Sequence, residues 1–202
     1  MFEILTVCTG NICRSPLAAL VLQQHLGPFG ARVSSAGTRG LASASMTPEA
    51  QTLAAAMGVA ADESSAHRSR FLTEPMIAPA DLVLTMTREH RREVAELAPA
   101  RLAAVFTVRE FARLAADVPD VEILTAADAA GPDAAARVRA ATRAVASRRG
   151  LVLPPADPSD DDVIDPYRRP WAVYQQSASQ LAPALNRVIR TVRAALEGAP
   201  SS

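Results

Sequence analysis

The sequence predicts an α/β protein built on a parallel β-sheet that helices cover on both faces. Three observations lead to this prediction: apolar runs alternate with amphipathic stretches, the runs are rich in β-branched residues, and proline, threonine or glycine marks several boundaries. The chain has 202 residues, 49% of them hydrophobic, which is enough for one sizeable core. Its formal net charge of +0 argues against a general binder of nucleic acid or of anionic membrane.

Four apolar runs are predicted to be strands, and the amphipathic stretches between and after them are predicted to be helices. The strands are residues 2–7, 31–37, 81–87 and 102–108, and the helices are about 16–26, 47–58, 88–97, 109–115 and about 171–196. Pro16 and Pro48 fit first helical positions, because a helix does not need the N–H that proline lacks there. Thr47 fits as the N-cap of the second helix and Gly58 as its stop.

Residues 117–162 break the alternation of strands and helices. They contain an alanine- and arginine-rich helix candidate at about 133–148, followed by a loop rich in proline and aspartate. We predict a helical insertion and a surface loop within a single domain that spans residues 1–202. An alternative is that the segment contacts a partner through its arginines, which are Arg137, Arg139, Arg143, Arg148 and Arg149.

The cysteine count and the apolar runs bear on the compartment. No apolar run approaches the length of a transmembrane helix, and the N-terminus lacks the basic region and cleavage site of a signal peptide. Two cysteines form neither a disulfide framework nor a four-thiolate zinc site. We therefore expect a cytoplasmic protein with reduced thiols, no membrane insertion and no metal.

The loop between the first strand and the first helix carries the clearest chemistry. It reads Cys8-Thr9-Gly10-Asn11-Ile12-Cys13-Arg14-Ser15. Ligands bind beyond the carboxyl ends of parallel strands, and the N–H groups of such a loop bind anions. Gly10 lets the backbone curl, Asn11 tolerates left-handed geometry, and the guanidinium of Arg14 matches two phosphate oxygens. This field favours Cys8 as a thiolate, and a thiolate beneath a tetrahedral oxyanion accepts a phosphoryl group.

Cleavage of a phosphate ester also needs a proton on the leaving oxygen, which a carboxylic acid can supply. The candidates are Asp157, Asp160, Asp161, Asp162 and Asp165. The run 160–162 is most simply a solvated loop face. Asp165 follows two apolar residues and precedes Pro166, which stiffens the backbone. This local pattern favours Asp165 as the proton donor, while the other four aspartates remain candidates.

The sequence resembles the low-molecular-weight protein tyrosine phosphatases. Their signature loop lies at the extreme N-terminus and reads like the "VCTGNICRSP" found here, and the resemblance continues at "SSAGT", "TPEA", "ADLVLTMT", "DPY" and "VYQQ". It covers most of the chain outside residues 117–162. The family implies a four-stranded parallel sheet with flanking helices, a phosphotyrosine-containing protein substrate, and a two-step mechanism through a phosphocysteine that needs no metal or other cofactor.

The resemblance also implies a role for individual residues. Cys8 is the nucleophile, Arg14 binds the phosphate, and Asp165 is the general acid and then the general base. Ser15 hydrogen-bonds the Cys8 thiolate, while Asn11 braces the loop with Ser35 and His67 as its partners. The rest of the substrate-binding loop is Thr9, Gly10, Ile12 and Cys13.

Three alternatives to phosphotyrosine hydrolysis exist. Thiol-dependent arsenate reductases use a similar loop but need further cysteines, and this chain has none outside the loop. A phosphoarginine phosphatase is harder to exclude; the residue at position 12 tends to be threonine in that branch, so Ile12 favours phosphotyrosine. A phosphopeptide-binding module built on an inactive phosphatase is disfavoured because Cys8, Arg14 and Asp165 are all present.

Several other residues have simpler expectations. His25 and His90 fall on predicted helix surfaces and are expected to be solvated. Leu41 falls where many relatives carry an aromatic residue that lines the substrate cleft, so Tyr167 or Trp171 is expected to supply that wall instead. The oligomeric state is left open.

Overall fold

A computed structural model describes residues 1–39 and 42–197, so Leu41 lies outside the described residues. Within these ranges the chain forms a four-stranded, all-parallel sheet in the order β2-β1-β3-β4. The strands are β1 (Phe2–Cys8), β2 (Ala31–Gly37), β3 (Leu82–Thr85) and β4 (Val105–Thr107). The predicted fold class is confirmed by this topology.

Helices connect and follow the strands in the described part of the chain. They are α1 (Arg14–Leu26), α2 (Pro48–Ala56), α3 (Ala61–Ala66), α4 (Glu74–Ile77), α5 (Arg88–Leu97), α6 (Val108–Ala116), α7 (Asp120–Ala129), α8 (Ala134–Ala146) and α9 (Trp171–Leu196). Short 3-10 turns form at Gly27–Phe29, Pro99–Ala104 and Pro158–Asp161. Thr47 caps α2 by accepting the N–H of Ala50, as its position in the sequence predicted. No helix of the described ranges is both long and apolar enough to cross a membrane.

Two predicted starts are wrong by two residues or more. The first helix begins at Arg14, so Pro16 is its third residue rather than its first. Proline is tolerated there because the N–H groups of the first turn have no partner within the helix. The fourth strand begins only at Val105, because Pro99 opens a 3-10 turn that takes up the first residues of the predicted strand.

The sheet buries side chains on both faces, and the two faces have separate cores. Successive strand residues alternate between them, so Ile4 joins the larger core while Leu5 and Val7 join the smaller one. The larger core includes apolar residues of α1, α2, α6, α8 and α9, and the smaller core includes residues of α4 and α5. Helices therefore flank the sheet on both faces.

Most arginines of the segment 117–162 form hydrogen bonds or ion pairs within the chain. Arg137 is buried and donates to the Ala195 carbonyl at 2.7 Å, while its other nitrogen pairs with Asp128 at 2.6 Å. Arg139 pairs with the buried Asp81 at 2.7 Å. Arg148 binds Asp117 and Glu122, and Arg149 binds Glu110 and lies over the Phe106 ring. Each of these four guanidinium groups therefore binds groups of its own chain and helps to fix the segment within the fold.

Candidate active site

The candidate site lies at the carboxyl end of β1. The chain leaves β1 through α1 to reach β2 on one side and later returns to β3 on the other side. The connections at this point run in opposite directions, which leaves a crevice beyond the strand ends. The loop from Cys8 to Ser15 occupies this crevice, and α1 begins within it at Arg14. The positive end of the helix dipole and the free N–H groups of its first turn therefore face an anion-binding position.

The thiol of Cys8 sits among hydrogen-bond donors. Its Sγ lies 3.0 Å from the Ser15 hydroxyl and 3.3 Å from the backbone nitrogen of Asn11, which donates to it. The Ser15 oxygen accepts a hydrogen bond from the Asn11 side-chain amide at 3.0 Å. The Ser15 hydroxyl proton has two acceptors within reach, Cys8 Sγ at 3.0 Å and the Ala36 carbonyl at 3.4 Å, and the shorter contact is the one to Cys8. Both contacts to Cys8 Sγ, from Ser15 and from Asn11, stabilise a thiolate.

Asn11 is the centre of the loop's hydrogen-bond network. Its φ of 53° lies in the left-handed region that asparagine tolerates. The side-chain amide also donates to Ser35 at 2.8 Å and accepts the backbone N–H of Arg70 at 3.1 Å. The backbone carbonyl of Asn11 lies 2.8 Å from Nε2 of His67. A carbonyl only accepts, so His67 Nε2 carries the proton. Burial lowers the pKa of His67, and the hydrogen bond to Asn11 opposes that effect. The structure thus brings Ser35 and His67 onto Asn11, where the resemblance expects them.

Arg14 connects the loop to the distant Asp165. The Arg14 side chain is buried, with one terminal nitrogen donating to the Val163 carbonyl at 2.9 Å and the other 2.8 Å from an Asp165 carboxylate oxygen. Nε of Arg14 is buried without a hydrogen-bond partner among the described residues, which leaves a donor for an oxyanion. Asp165 itself is half exposed, at 51%, and its other oxygen accepts the N–H of Tyr167. The structure brings Cys8, Arg14 and Asp165 to one cleft.

The segment before Asp165 is held firmly: Asp160 is exposed, as expected of a solvated face, whereas Asp161 and Asp162 are not. Asp161 is 9% exposed and pairs with Arg113 at 2.7 Å, while its carbonyl accepts the Thr107 hydroxyl. Asp162 accepts the N–H of Arg88 at 2.7 Å, at the first residue of α5. A carboxylate at a helix start is stabilised by the free N–H groups and the dipole, which explains the inward position of Asp162.

The cleft above Cys8 has a volume of about 310 Å³. Its lining residues are Cys8, Thr9, Gly10, Ile12, Cys13, Arg14, Arg39, Asp165, Tyr167 and Arg168. Tyr167 therefore supplies an aromatic wall, as one of the two expectations had it. Trp171 instead stacks on Tyr174, with ring centroids 6.3 Å apart.

Cys13 lies beside the cleft but in a different environment from Cys8. Its Sγ is buried, 3.6 Å from the Thr47 hydroxyl and 3.9 Å from the Tyr174 hydroxyl. Burial raises the pKa of Cys13 to about 11, so this thiol stays protonated at neutral pH. Both cysteines are free.

Two residues at the site were not predicted from the sequence. His90 was expected to be solvated, which is wrong: it is 4% exposed, and Nε2 lies 2.8 Å from the Thr9 hydroxyl. Gly37 ends β2 against the loop, where a Cβ atom would lie 2.6 Å from the Thr9 carbonyl oxygen. The "SSAGT" motif was a signal for Gly37. A histidine in a charged helical segment gives no local signal that it is buried, so the sequence did not point to His90.

Comparison with known proteins supports the same reading over the N-terminal part. The family model of the low molecular weight phosphotyrosine protein phosphatases matches residues 3–125, a range that includes Cys8, Arg14, Ser35 and His67 and ends before Asp165. A probable low molecular weight protein-tyrosine-phosphatase of Ralstonia nicotianae is 38% identical over 107 residues, or 53% of this chain and 70% of that relative. A protein-arginine-phosphatase of Geobacillus stearothermophilus is 36% identical over 110 residues, or 54% of this chain and 71% of that relative.

A solved structure extends the likeness in fold to nearly the whole chain. The low molecular weight protein tyrosine phosphatase of T. tengcongensis superposes with a TM-score of 0.64 at 24% identity, covering 94% of this chain and 98% of that one. The likeness in fold thus extends beyond the residues that the family model matches. From its signature loop, its parallel sheet and the matched residues 3–125, the chain belongs to the low molecular weight phosphotyrosine protein phosphatase family.

Proposed function

We propose that the chain is a cysteine-dependent phosphatase that hydrolyses phosphotyrosine in proteins through a phosphocysteine, with no metal or other cofactor. The observation that carries the proposal is the grouping at one cleft of a thiol, a buried guanidinium and a carboxylate. Cys8 lies 3.0 Å from a hydroxyl that can donate to its thiolate, and Arg14 lies 2.8 Å from Asp165. Each group has a defined task in phosphoryl transfer.

In the first step the Cys8 thiolate attacks phosphorus, so that an S–P bond forms as the P–O bond to the tyrosine ring breaks. Arg14 and the loop N–H groups hold the phosphoryl oxygens, whose negative charge they stabilise in the transition state. Asp165 gives its proton to the departing phenolate oxygen, so neutral tyrosine leaves. The half-exposed position of Asp165 beside Arg14 suits this transfer, because the carboxyl group reaches both the cleft and solvent.

In the second step water attacks the phosphocysteine. Asp165, now a carboxylate, takes a proton from the water as the new P–O bond forms and the S–P bond breaks. Inorganic phosphate leaves, and the Cys8 thiolate is restored. The Ser15 hydroxyl, 3.0 Å from Cys8 Sγ, donates to that thiolate and makes it a better leaving group.

The cleft lining favours phosphotyrosine over phosphoarginine. Ile12 and Tyr167 offer apolar surface to a phenyl ring. Arg168 also lines the cleft, and its positive charge disfavours the guanidinium that adjoins the phosphoryl group in phosphoarginine. A relative that is named a protein-arginine-phosphatase makes phosphoarginine the alternative to be tested.

The proposal also includes a location and a domain organisation. The substrate is a phosphoprotein, and the compartment is the cytoplasm, where two unpaired cysteines stay reduced. Residues 1–202 form one phosphatase domain, with residues 117–162 as an insertion before the segment of the general acid.

The deciding experiment compares the initial rates of wild type and Cys8→Ser on an aryl phosphate, a phosphotyrosine peptide and a phosphoarginine peptide. We expect wild type to prefer phosphotyrosine and Cys8→Ser to show no turnover of any substrate. Cys8→Ser should still bind inorganic phosphate, because Arg14 and the loop supply most of the anion binding. Preference for phosphoarginine would replace the proposed substrate, and binding without turnover in wild type would indicate a phosphopeptide-binding module.

A further inference from the structure

His90 stands apart from the reacting groups yet contacts the oxyanion loop. It is the third residue of α5 and is 4% exposed. Its Nε2 lies 2.8 Å from the Thr9 hydroxyl, and its Nδ1 lies 2.9 Å from the hydroxyl of Thr87, which is the N-cap of α5. The imidazole therefore joins the start of a helix on one face of the sheet to the residue next to Cys8.

The contacts of the two ring nitrogens fit the tautomer that carries its proton on Nε2. The Thr87 oxygen accepts the backbone N–H of His90, so its hydroxyl proton is available for Nδ1. Nε2 then carries the ring proton and donates it to Thr9. Burial, followed by the charge of Arg14, lowers the pKa of His90 to about 4, so the ring is neutral at physiological pH. Glu93, Asp165 and Asp162 act in the opposite direction without reversing this effect.

Thr9 is held from two sides. On the side of β2, the N–H of Arg39 donates to the Thr9 carbonyl at 3.0 Å, and the N–H of Thr38 donates to the Cys8 carbonyl at 2.9 Å. On the other side, the side chain of Thr9 meets His90. Both Cys8 and Gly10, the neighbours of Thr9 in the chain, line the cleft, so the position of Thr9 affects where the loop N–H groups point.

We infer that His90 is a positioning residue that donates a hydrogen bond to Thr9 and thereby holds the oxyanion loop in the conformation that binds a phosphoryl group. This inference rests on the proposed function only in that the loop binds a phosphoryl oxyanion, whichever phosphorylated side chain carries it. His90 does not contact the reacting atoms, so its effect appears in oxyanion affinity.

The test uses two variants that each keep one half of the imidazole's contacts. In His90→Gln the side-chain amide nitrogen reaches about where Nε2 lies and can donate to Thr9. In His90→Asn the amide reaches only about where Nδ1 lies and contacts Thr87. The readout is the dissociation constant of inorganic phosphate at pH 7, measured by calorimetry, with the melting temperature measured in parallel.

We expect His90→Asn to weaken phosphate binding by about threefold to tenfold, the range that loss of one neutral hydrogen bond supports. His90→Gln should stay within about twofold of wild type. Thr9→Val should match His90→Asn, and combining Thr9→Val with His90→Asn should weaken binding no further, because both substitutions remove the same hydrogen bond.

Three results would overturn the inference. Wild-type phosphate affinity in His90→Asn would mean that the contact does not hold the loop. If His90→Asn and His90→Gln lose phosphate affinity equally, and in proportion to their fall in melting temperature, His90 only packs. Additive losses from Thr9→Val and His90→Asn would mean that His90 does not act through Thr9. Failure of phosphotyrosine turnover in a wild type that binds phosphate would contradict the proposed function and leave this inference intact.

Discussion

Asp165 is the proposed proton donor; it contacts Arg14 and remains half exposed. A leaving group of high pKa needs a proton as it departs, whereas a leaving group of low pKa does not. We therefore expect Asp165→Asn to slow phosphotyrosine hydrolysis by roughly 10²–10⁴-fold, the range of general acid catalysis. The loss should shrink for activated aryl phosphates, which a series of substrates with graded leaving groups would measure.

Asp162→Asn is the matched control for Asp165→Asn. Asp162 lies three residues away and binds the start of α5 rather than Arg14. We expect its substitution to leave the dependence of rate on leaving-group pKa unchanged. If Asp162→Asn changes that dependence and Asp165→Asn does not, the proton donor has been assigned to the wrong carboxyl group.

The surroundings of the two cysteines predict different reactivities. Cys8 contacts two donors, whereas burial raises the pKa of Cys13 to about 11. We expect iodoacetate at pH 7 to modify Cys8 at least tenfold faster than Cys13, since only the thiolate reacts. Peptide mapping over a time course measures both rates. Equal rates at the two sites would show that Cys13 is not held as the buried thiol described above.

Oxidation offers a separate test of Cys13. Peroxide should convert Cys8 to a sulfenic acid, which Cys13 can capture as a disulfide if the loop rearranges. We expect Cys13→Ser to recover less activity than wild type when a reductant is added. A map without a Cys8–Cys13 link, together with equal recovery in the two proteins, would contradict capture.

Single residues of the site were predictable where a local pattern sufficed. The signature loop gave Cys8 and Arg14 their candidate roles, and Asn11 was recognised because few residues other than glycine adopt left-handed geometry. His90 and Asp161 were misassigned, since both lie in strongly charged stretches that resemble a solvated face. Their burial depends on partners distant in sequence, Thr9 and Arg113, which local patterns do not reveal.

Among the elements, the segment before Asp165 depends on α6 for its position. Asp161 pairs with Arg113 of α6, and the N-cap Thr107 donates to the Asp161 carbonyl. We expect Asp161→Asn to reduce kcat by roughly twofold to tenfold for every leaving group alike, because it loosens the segment without removing the proton donor. Steady-state rates over the substrate series used for Asp165→Asn separate the two effects. A larger loss for poor leaving groups than for good ones would contradict this assignment.

The start of α6 was predicted only approximately. Thr107 and Glu110 form a capping box, a spacing visible in the sequence, yet the helix was predicted to begin one residue late. Helix α7 was not predicted at all. Its sequence lies in the segment treated as an insertion, and the residues that it buries, Ile123 and Ala127, are too few to form a clear periodic stripe.

At the scale of the whole molecule, the segment 117–162 contributes to the same core as the sheet. Val138, Ala141 and Val145 of α8 are fully or almost fully buried in the larger core. If residues 1–202 form one domain, a cavity in α8 should lower the stability of the entire protein. We expect Val138→Ala to cost about 2 kcal/mol and to shift a single cooperative melting transition, with KM unchanged. Two separate transitions would contradict the single domain.

The pH dependence of stability also depends on the buried imidazole. The pKa of His90 is lowered from 6.5 to about 4, so between these values the unfolded chain binds a proton that the folded chain does not. The contribution of this group to the free energy of unfolding is therefore fully present above about pH 6.5 and is lost as the pH falls toward 4. We expect the wild type to lose about 2 kcal/mol more than His90→Gln between pH 7 and pH 5.

Urea unfolding of both proteins at the two pH values measures this difference, because the other titrating groups change alike in wild type and in His90→Gln and cancel. His67→Gln is the matched control: its pKa is also lowered by burial, but its hydrogen bond to Asn11 offsets part of that effect, so its difference should be smaller. Equal losses of stability in wild type and His90→Gln would mean that His90 takes up its proton in the folded protein as readily as in the unfolded chain. In that case Nδ1 would carry a proton at pH 5 and could no longer accept from Thr87, while Nε2 would still donate to Thr9.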